Sequence, residues 1–256
     1  MVGTALITGT TSGIGRALSI KLALEGYRLI LVARNDKLLK EQASELRLHG
    51  IEVLEIVCDL SQPDASGYIL NQIEKAKISI DMLVNNAGFN EAGEFTETDL
   101  KKELAMILVH IVSLTELTKG LLPDMLKAGS GKILNIASTG AYMACPYDAV
   151  YAATKAYVLS FSNALYQELK GSGVTVTALS PGATKTAFAD KAGMNQSLLF
   201  RHFVMSAEKV AEAGYQSVLR GKRNVTPGIY NKLLVACTKF LPVGILSPLA
   251  QIMVQK

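Results

Sequence analysis

The 256-residue chain has no tryptophan, three cysteines, three histidines and seven prolines, and its basic residues outnumber its acidic ones by only 26 to 22. Each scarcity excludes something. Cys58, Cys145 and Cys237 are odd in number and far apart, so a disulfide framework is not expected, and a reducing, cytoplasmic compartment is. A lone cysteine without a matched histidine is ordinarily structural, and Cys145 is read that way. His49, His110 and His202 stand 61 and 92 residues apart, and no metal-ligand spacing can be built from them with the cysteines. The net charge of +4 is small and scattered, unlike the basic stripe of a nucleic-acid binder. The N-terminal "MVGTALITGT" runs straight into a strand-like stretch with no basic region before it, which is not a signal-peptide pattern. Near the other end, "FLPVGILSPLAQIMVQ" (240–255) is 16 residues without a charge, interrupted by Pro242 and Pro248. It falls short of the ~20 apolar residues a spanning helix needs. It reads as a core or interface segment, with peripheral membrane contact as the lesser alternative.

What is present is a hydrophobic fraction of 49% against 19% charged residues, enough to fill a core and to exclude disorder. Short apolar, β-branched runs alternate with longer amphipathic stretches. Strands are predicted at 4–8, 28–33, 51–58, 81–85, 132–137 and 174–179. The predicted helices run from Ile14 to Glu25 and Asp36 to Leu48, then near 64–76, 97–127 and 147–170. Strands that are apolar throughout are buried on both faces, as in parallel sheets. Six such alternations predict a doubly wound α/β sheet in a single domain covering 1–256. Ligands of these sheets bind beyond the carboxyl ends of the strands, at the switch in strand order.

The residues at those strand ends carry chemistry. After the first strand comes "GTTSGIG", in which Gly9, Thr11, Ser12, Gly13, Ile14 and Gly15 form a turn opening a helix. Unpaired N–H groups and the positive end of the helix dipole suit a phosphate there, and glycines let the backbone approach it. The second strand ends at Ala33, where a site for an unphosphorylated ribose would place a carboxylate. Arg34 follows, and a guanidinium beside a missing carboxylate suits a 2′-phosphate, with Arg16 as a possible second cation. The cofactor expected is therefore NADP, with NADPH favoured over NADH. Asp59, before Leu60, is placed either to accept from an adenine amino group or to cap the next helix. Asn86, Ala87 and Gly88 lie at the end of the fourth strand, beside the expected groove. Ser138 ends the fifth.

Two Tyr-x-x-x-Lys pairs occur, Tyr151/Lys155 in "YAATK" and Tyr166/Lys170 in "YQELK". The first falls in the opening turns of the helix after strand five, near the crevice. Tyr166 lies ~22 Å further along the axis at ~1.5 Å per residue, toward the edge where no ligand is expected. The first pair is poised for chemistry and the second is structural.

The set "TGTTSGIG", Asp59, "NNAG", Ser138, "YAATK" and Pro181–Gly182 resembles the short-chain dehydrogenase/reductase family in order and approximate spacing over residues 4–182. The resemblance implies a Rossmann-type sheet of seven mainly parallel strands and hydride transfer between a nicotinamide and a carbonyl or alcohol. It makes Tyr151 the acid/base, Lys155 the neighbouring charge that favours tyrosinate and bonds the nicotinamide ribose, and Ser138 the holder of the carbonyl oxygen, with Tyr151 and Lys155 both meeting the cofactor. Thr184 and Thr186, after Pro181–Gly182, would meet the cofactor. One departure is visible: the family's relay Asn is replaced by His110, and residues 91–134 contain no Asn. His110 either organises the relay water or is a buried structural side chain. The resemblance also places a substrate lid at about 184–206, a helical tail at about 227–256, and a homodimer or homotetramer. Phe188, Met194, Leu198, Leu199, Phe200 and Phe203 would make the lid apolar, which favours an apolar aldehyde or ketone, and Arg201 tempers that. Two alternatives are a dinucleotide-sensing protein without turnover and a membrane-surface protein anchored by its tail.

Overall fold

The computed structural model describes residues 2–186 and 204–254. Its centre is a sheet of seven strands, all parallel, in the order β3-β2-β1-β4-β5-β6-β9. These are β1 (Thr4–Thr8), β2 (Arg28–Ala33), β3 (Val53–Val57), β4 (Met82–Asn85), β5 (Gly131–Ile136), β6 (Val174–Leu179) and β9 (Asn224–Val225). Between β6 and β9, a separate parallel pair joins β7 (Thr184–Lys185) to β8 (Met205–Ser206). Strand order reverses at β1, which pairs with β2 on one side and β4 on the other. That junction opens the crevice.

The two-residue period of the strands feeds two cores. In β1 and β2, Ala5, Ile7, Leu29 and Leu31 face one layer, where α1 (Gly13–Leu24), α2 (Asp36–Arg47) and α7 (Ala207–Leu219) pack. Leu6, Ile30 and Val32 face the other, against α3 (Ala65–Ala76) and α5 (Ser113–Ala128). Both faces are covered, which is why the strands lack a polar alternation.

The predicted helix near 97–127 is a composite of three segments over Leu100–Ala128. Asp99 caps α4 (Leu100–Ile107), its side chain accepting from the Lys101 N–H at 2.8 Å. The backbone then widens into a π-helical turn over Leu108–Val112 before α5. By length and composition the stretch Leu100–Ala128 is apolar enough to cross a membrane. Here Val109, Leu117, Leu121 and Met125 are core residues of the second layer, so the apolarity has a packing cause. The helix that carries Tyr151 and Lys155 is α6 (Ala149–Glu168). The tail forms two further helices, α8 (Ile229–Cys237) and α9 (Val243–Val254). The apolar lid residues expected at 188–203 lie outside the described residues.

Candidate active site

The turn after β1 is built by close approach. Gly9 has φ +70°, and a Cβ on it would stand 2.7 Å from the Ala87 Cα. A Cβ on Gly15 would be 2.2 Å from the Gly9 carbonyl oxygen and 2.3 Å from Asn86 Nδ2. No side chain fits at either position. Asn86 is the strut: its Nδ2 donates to the carbonyls of Thr8 and Gly9 at 2.8 and 3.0 Å. Thr8 Oγ1 in turn accepts from the N–H groups of Asn86 and Ala87, both at 3.0 Å. The ends of β1 and β4 are thereby locked together. Ser12, the N-cap of α1, makes no side-chain capping bond, which leaves first-turn N–H groups to an anion.

At the adenosine end Ala33 is buried and the exposed Arg34 stands on the rim of the same cavity. Arg16 is turned away, paired with Glu45 on α2, so the second cation expected from sequence is not part of the cavity wall. Asn35 and Asp36 are also occupied. Asn35 Oδ1 accepts from the Leu38 N–H at 3.0 Å, and Asp36 pairs with Lys40 at 2.8 Å. Asp59 does not cap α3, whose N-cap is Asp64. Instead its Oδ1 accepts from the backbone and hydroxyl of Ser61 at 3.0 and 2.8 Å, an Asx turn on the cavity wall.

At the reacting end, Ser138 follows β5, and its Oγ accepts from the Gly140 N–H at 3.1 Å. Tyr151, in the first turn of α6, is hydrogen-bonded to the Ser138 hydroxyl. Lys155 lies one turn on and is 5% exposed, with Nζ donating to the Ile136 carbonyl at 2.9 Å and standing 5.7 Å from the Tyr151 ring centre. Burial pushes the Tyr151 phenol well above its ordinary value; the Ser138 bond opposes this, while Asp148 and Cys145 add to it. Burial also brings Lys155 down to about 8. At neutral pH, Tyr151 keeps its proton and most of the Lys155 population keeps its charge.

His110 is buried behind Tyr151. The imidazole is 1% exposed, and burial and the Lys155 charge hold it far below its ordinary pKa. Its Nε2 accepts from the Phe89 N–H at 3.2 Å. The proton therefore sits on Nδ1, 2.8 Å from Thr154 Oγ1, which donates to the Tyr151 carbonyl at 2.7 Å. A neutral imidazole has one donor and one acceptor. Both are engaged by protein groups, the Phe89 N–H and the Thr154 hydroxyl. The ring also packs edge-on against Tyr151 at 5.8 Å between centres.

One open cavity of about 320 Å³ joins these ends. It is lined by Gly9, Thr11, Ser12, Gly13, Ile14, Gly15, Arg34, Asp59, Leu60, Asn86, Ala87 and Gly88 along the groove, and by Ser138, Tyr151, Lys155, Pro181, Gly182, Thr184 and Thr186 toward its far end. His110 and Arg16 do not line it; His110 stands behind Tyr151 and Arg16 is held by Glu45. A glycine turn with open N–H groups, a long groove and a buried Tyr–Lys pair fit an extended dinucleotide. Tyr166 is packed against the second core layer. The sequence analysis did not single out Asn90 or Asp148, which lie on the cavity wall with Cys145, the cysteine taken as structural. The available signal was position: Asp148 is three residues before Tyr151, and Asn90 two after Gly88.

Fold and cavity together define a Rossmann-type dinucleotide enzyme. The family model for short chain dehydrogenase matches residues 3–197, and the chain belongs to the short-chain dehydrogenase/reductase family. It is an NAD(P)-dependent oxidoreductase of that family. Among its relatives is a putative ketoacyl reductase of the granaticin polyketide synthase from Streptomyces violaceoruber, 36% identical over 190 residues, covering 73% of this chain and 70% of the relative. A short-chain dehydrogenase from Sphingobium yanoikuyae, solved with NADPH, superposes with a TM-score of 0.83 at 30% identity, over 93% of this chain and 94% of that one. The bulky-bulky ketone specific alcohol dehydrogenase from Comamonas testosteroni gives a TM-score of 0.77 at 27% identity, over 93% and 92%.

Proposed function

We propose that this protein is an NADP-dependent carbonyl reductase, or the reverse alcohol dehydrogenase, acting on an apolar aldehyde or ketone. The observation that carries the reading is the convergence of Ser138, Tyr151 and Lys155 at the end of the dinucleotide groove. When bound, the reduced nicotinamide supplies a hydride to the carbonyl carbon. The chain's residues manage the oxygen. Ser138 and Tyr151 hydroxyls hold it, and Tyr151 gives its proton to the alkoxide that develops. A phenol pushed upward by burial is in its donor form at neutral pH, which suits reduction. The ammonium of Lys155 favours the tyrosinate that forms.

The apolar substrate class is supported by Phe89, Met143, Leu234 and Met253 on the cavity wall and fits a relative whose name specifies bulky ketones. NADP over NAD is supported by Ala33, Arg34 and the occupied Asp36. A cytoplasmic setting is supported by three free cysteines among the described residues. The proposal includes a substrate cover at 184–206, whose described ends pair as β7 and β8. It also includes a homodimer or homotetramer, supported by exposed Tyr230, Leu233, Phe240 and Val243 on the tail of 227–256. The direct test is NADPH oxidation, followed at the nicotinamide absorbance, against a panel of aldehydes and ketones. Turnover of apolar carbonyls is expected, and inertness toward all of them overturns the reading.

A further inference from the structure

Asp148 is in an unusual position for a carboxylate. It is the N-cap residue of α6, where an Asp side chain ordinarily accepts from a first-turn N–H. Here it makes no side-chain capping bond. The side chain turns instead toward the loop after β4, where Oδ1 accepts from Asn90 Nδ2 at 2.9 Å. Asp148 and Asn90 are 6% and 5% exposed, and both lie on the cavity wall beside Tyr151 and Cys145. Among the described ion pairs none involves Asp148, and its Oδ2 accepts no described hydrogen bond.

Burial pushes the Asp148 carboxyl up to about 6, against the pull of the Asn90 bond. At neutral pH it is mainly ionised, with one described neutral donor. A buried carboxylate ordinarily gathers several donors or a cation. An Asp that leaves the helix N–H groups uncapped and faces the substrate end of a cavity is arranged for a donor that arrives from outside.

We infer that Asp148 is a substrate-recognition residue whose carboxylate accepts a hydrogen bond from a hydroxyl carried on an otherwise apolar ketone or aldehyde. The inference rests on the reductase reading above and narrows its substrate class. A neutral hydroxyl suits the site better than an ammonium. Lys155 already places a cation in the same cavity, and Phe89, Met143 and Met253 would strip water from a second one. Asn90 is the positioning residue that fixes which carboxylate oxygen remains for the ligand.

The test uses straight-chain ketones bearing a hydroxyl two to five carbons from the carbonyl, each against the ketone with methyl in its place. The ratio of kcat/KM within each pair is measured with NADPH for the unmodified protein, Asp148→Ala and Asp148→Asn. At one chain length the unmodified protein should favour the hydroxylated partner about ten- to hundredfold, the range of one charge-assisted hydrogen bond. The ratio should fall to within about twofold of unity in Asp148→Ala and to an intermediate value in Asp148→Asn, mainly through KM. Asp148→Asn preserves shape and the Asn90 bond, so it remains informative if the alanine variant folds poorly. Titration calorimetry of the same ketones into NADP⁺-saturated protein gives the preference without turnover. An Asp148-dependent binding preference without reduction would leave the inference standing and sink the reductase reading. No hydroxyl preference at any chain length, or one undiminished in both variants, would overturn the inference.

Discussion

The imidazole of His110 holds the Thr154 hydroxyl at 2.8 Å, and through it the backbone carbonyl of Tyr151. The departure from the family's Asn has become a brace behind the reactive tyrosine. His110→Ala strands the Phe89 N–H and removes the donor to Thr154, and each stranded buried group costs about 1–3 kcal/mol. Thermal unfolding should show a Tm lowered by several degrees, while kcat/KM falls far less than in Tyr151→Phe. His110→Asn, which carries both a donor and an acceptor, should recover part of the loss. An unchanged Tm in His110→Ala would remove the brace.

Tyr151→Phe deletes the only hydroxyl proposed to protonate the alkoxide. It should lower kcat by at least about 10²-fold while NADPH binding, followed by fluorescence titration, changes little. Tyr166→Phe, in a residue packed against the core, should do neither. Equal losses in both variants would show that the Tyr151 assignment is wrong.

The contrast between those two tyrosines was legible in the sequence because helix length alone separates them. The first six strands were legible for a related reason: runs such as "RLILVA" are apolar on both faces because both faces are covered. The two-residue strands β7, β8 and β9 were not. Their pairing depends on where β6 and the chain between them come to rest, and two residues carry no period. His110 was half-legible. Its position was visible, but its partners come from Phe89 and Thr154, 21 and 44 residues away. Asp148 was invisible because an Asp before a helix reads as a cap, and only tertiary structure shows it declining that role.

That choice has a consequence for stability. The Asp148 carboxyl is raised from 3.8 to about 6, so between those values the folded protein holds a proton the unfolded chain has released. The stability linked to it is complete below about pH 4 and is lost as pH rises through about 6, on the order of 2–3 kcal/mol for a group this buried. Asp148→Asn removes the buried charge and should raise Tm at pH 7.5 but not at pH 4. Calorimetric scans at the two pH values check this, and an equal change at both would refute the assigned shift.

Assembly is tested on the tail. Phe240 is 84% exposed and Tyr230 65%, and a symmetric contact between copies would cover such residues. Sedimentation at micromolar concentration should give a dimer or tetramer, and Phe240→Glu with Leu233→Glu should shift it toward monomer. A monomeric unmodified protein would contradict the assembly.

Cofactor choice turns on two adjacent residues at the end of β2. A site for NAD needs a carboxylate to receive the ribose 2′-hydroxyl, and that carboxylate would repel a 2′-phosphate. Ala33 removes the repulsion. The nearest carboxylate in sequence, Asp36, is paired with Lys40, and Asn35 is occupied as a helix cap. Arg16 is engaged by Glu45, so among the described residues Arg34, on the cavity rim, is the one proposed to grip the phosphate. One charge-assisted hydrogen bond contributes about 1.5–3 kcal/mol, or about ten- to hundredfold in dissociation constant. Arg34 is exposed, so solvent and salt screening place the expected preference at the lower end. NADPH should therefore bind at least about tenfold more tightly than NADH at low ionic strength. Arg34→Ala should erase most of that difference, raised salt should shrink it, and Ala33→Asp should reverse it by restoring both the acceptor and the repulsion. Comparable dissociation constants for NADPH and NADH in the unmodified protein would sink the preference and leave the fold and the Ser138–Tyr151–Lys155 assignment untouched.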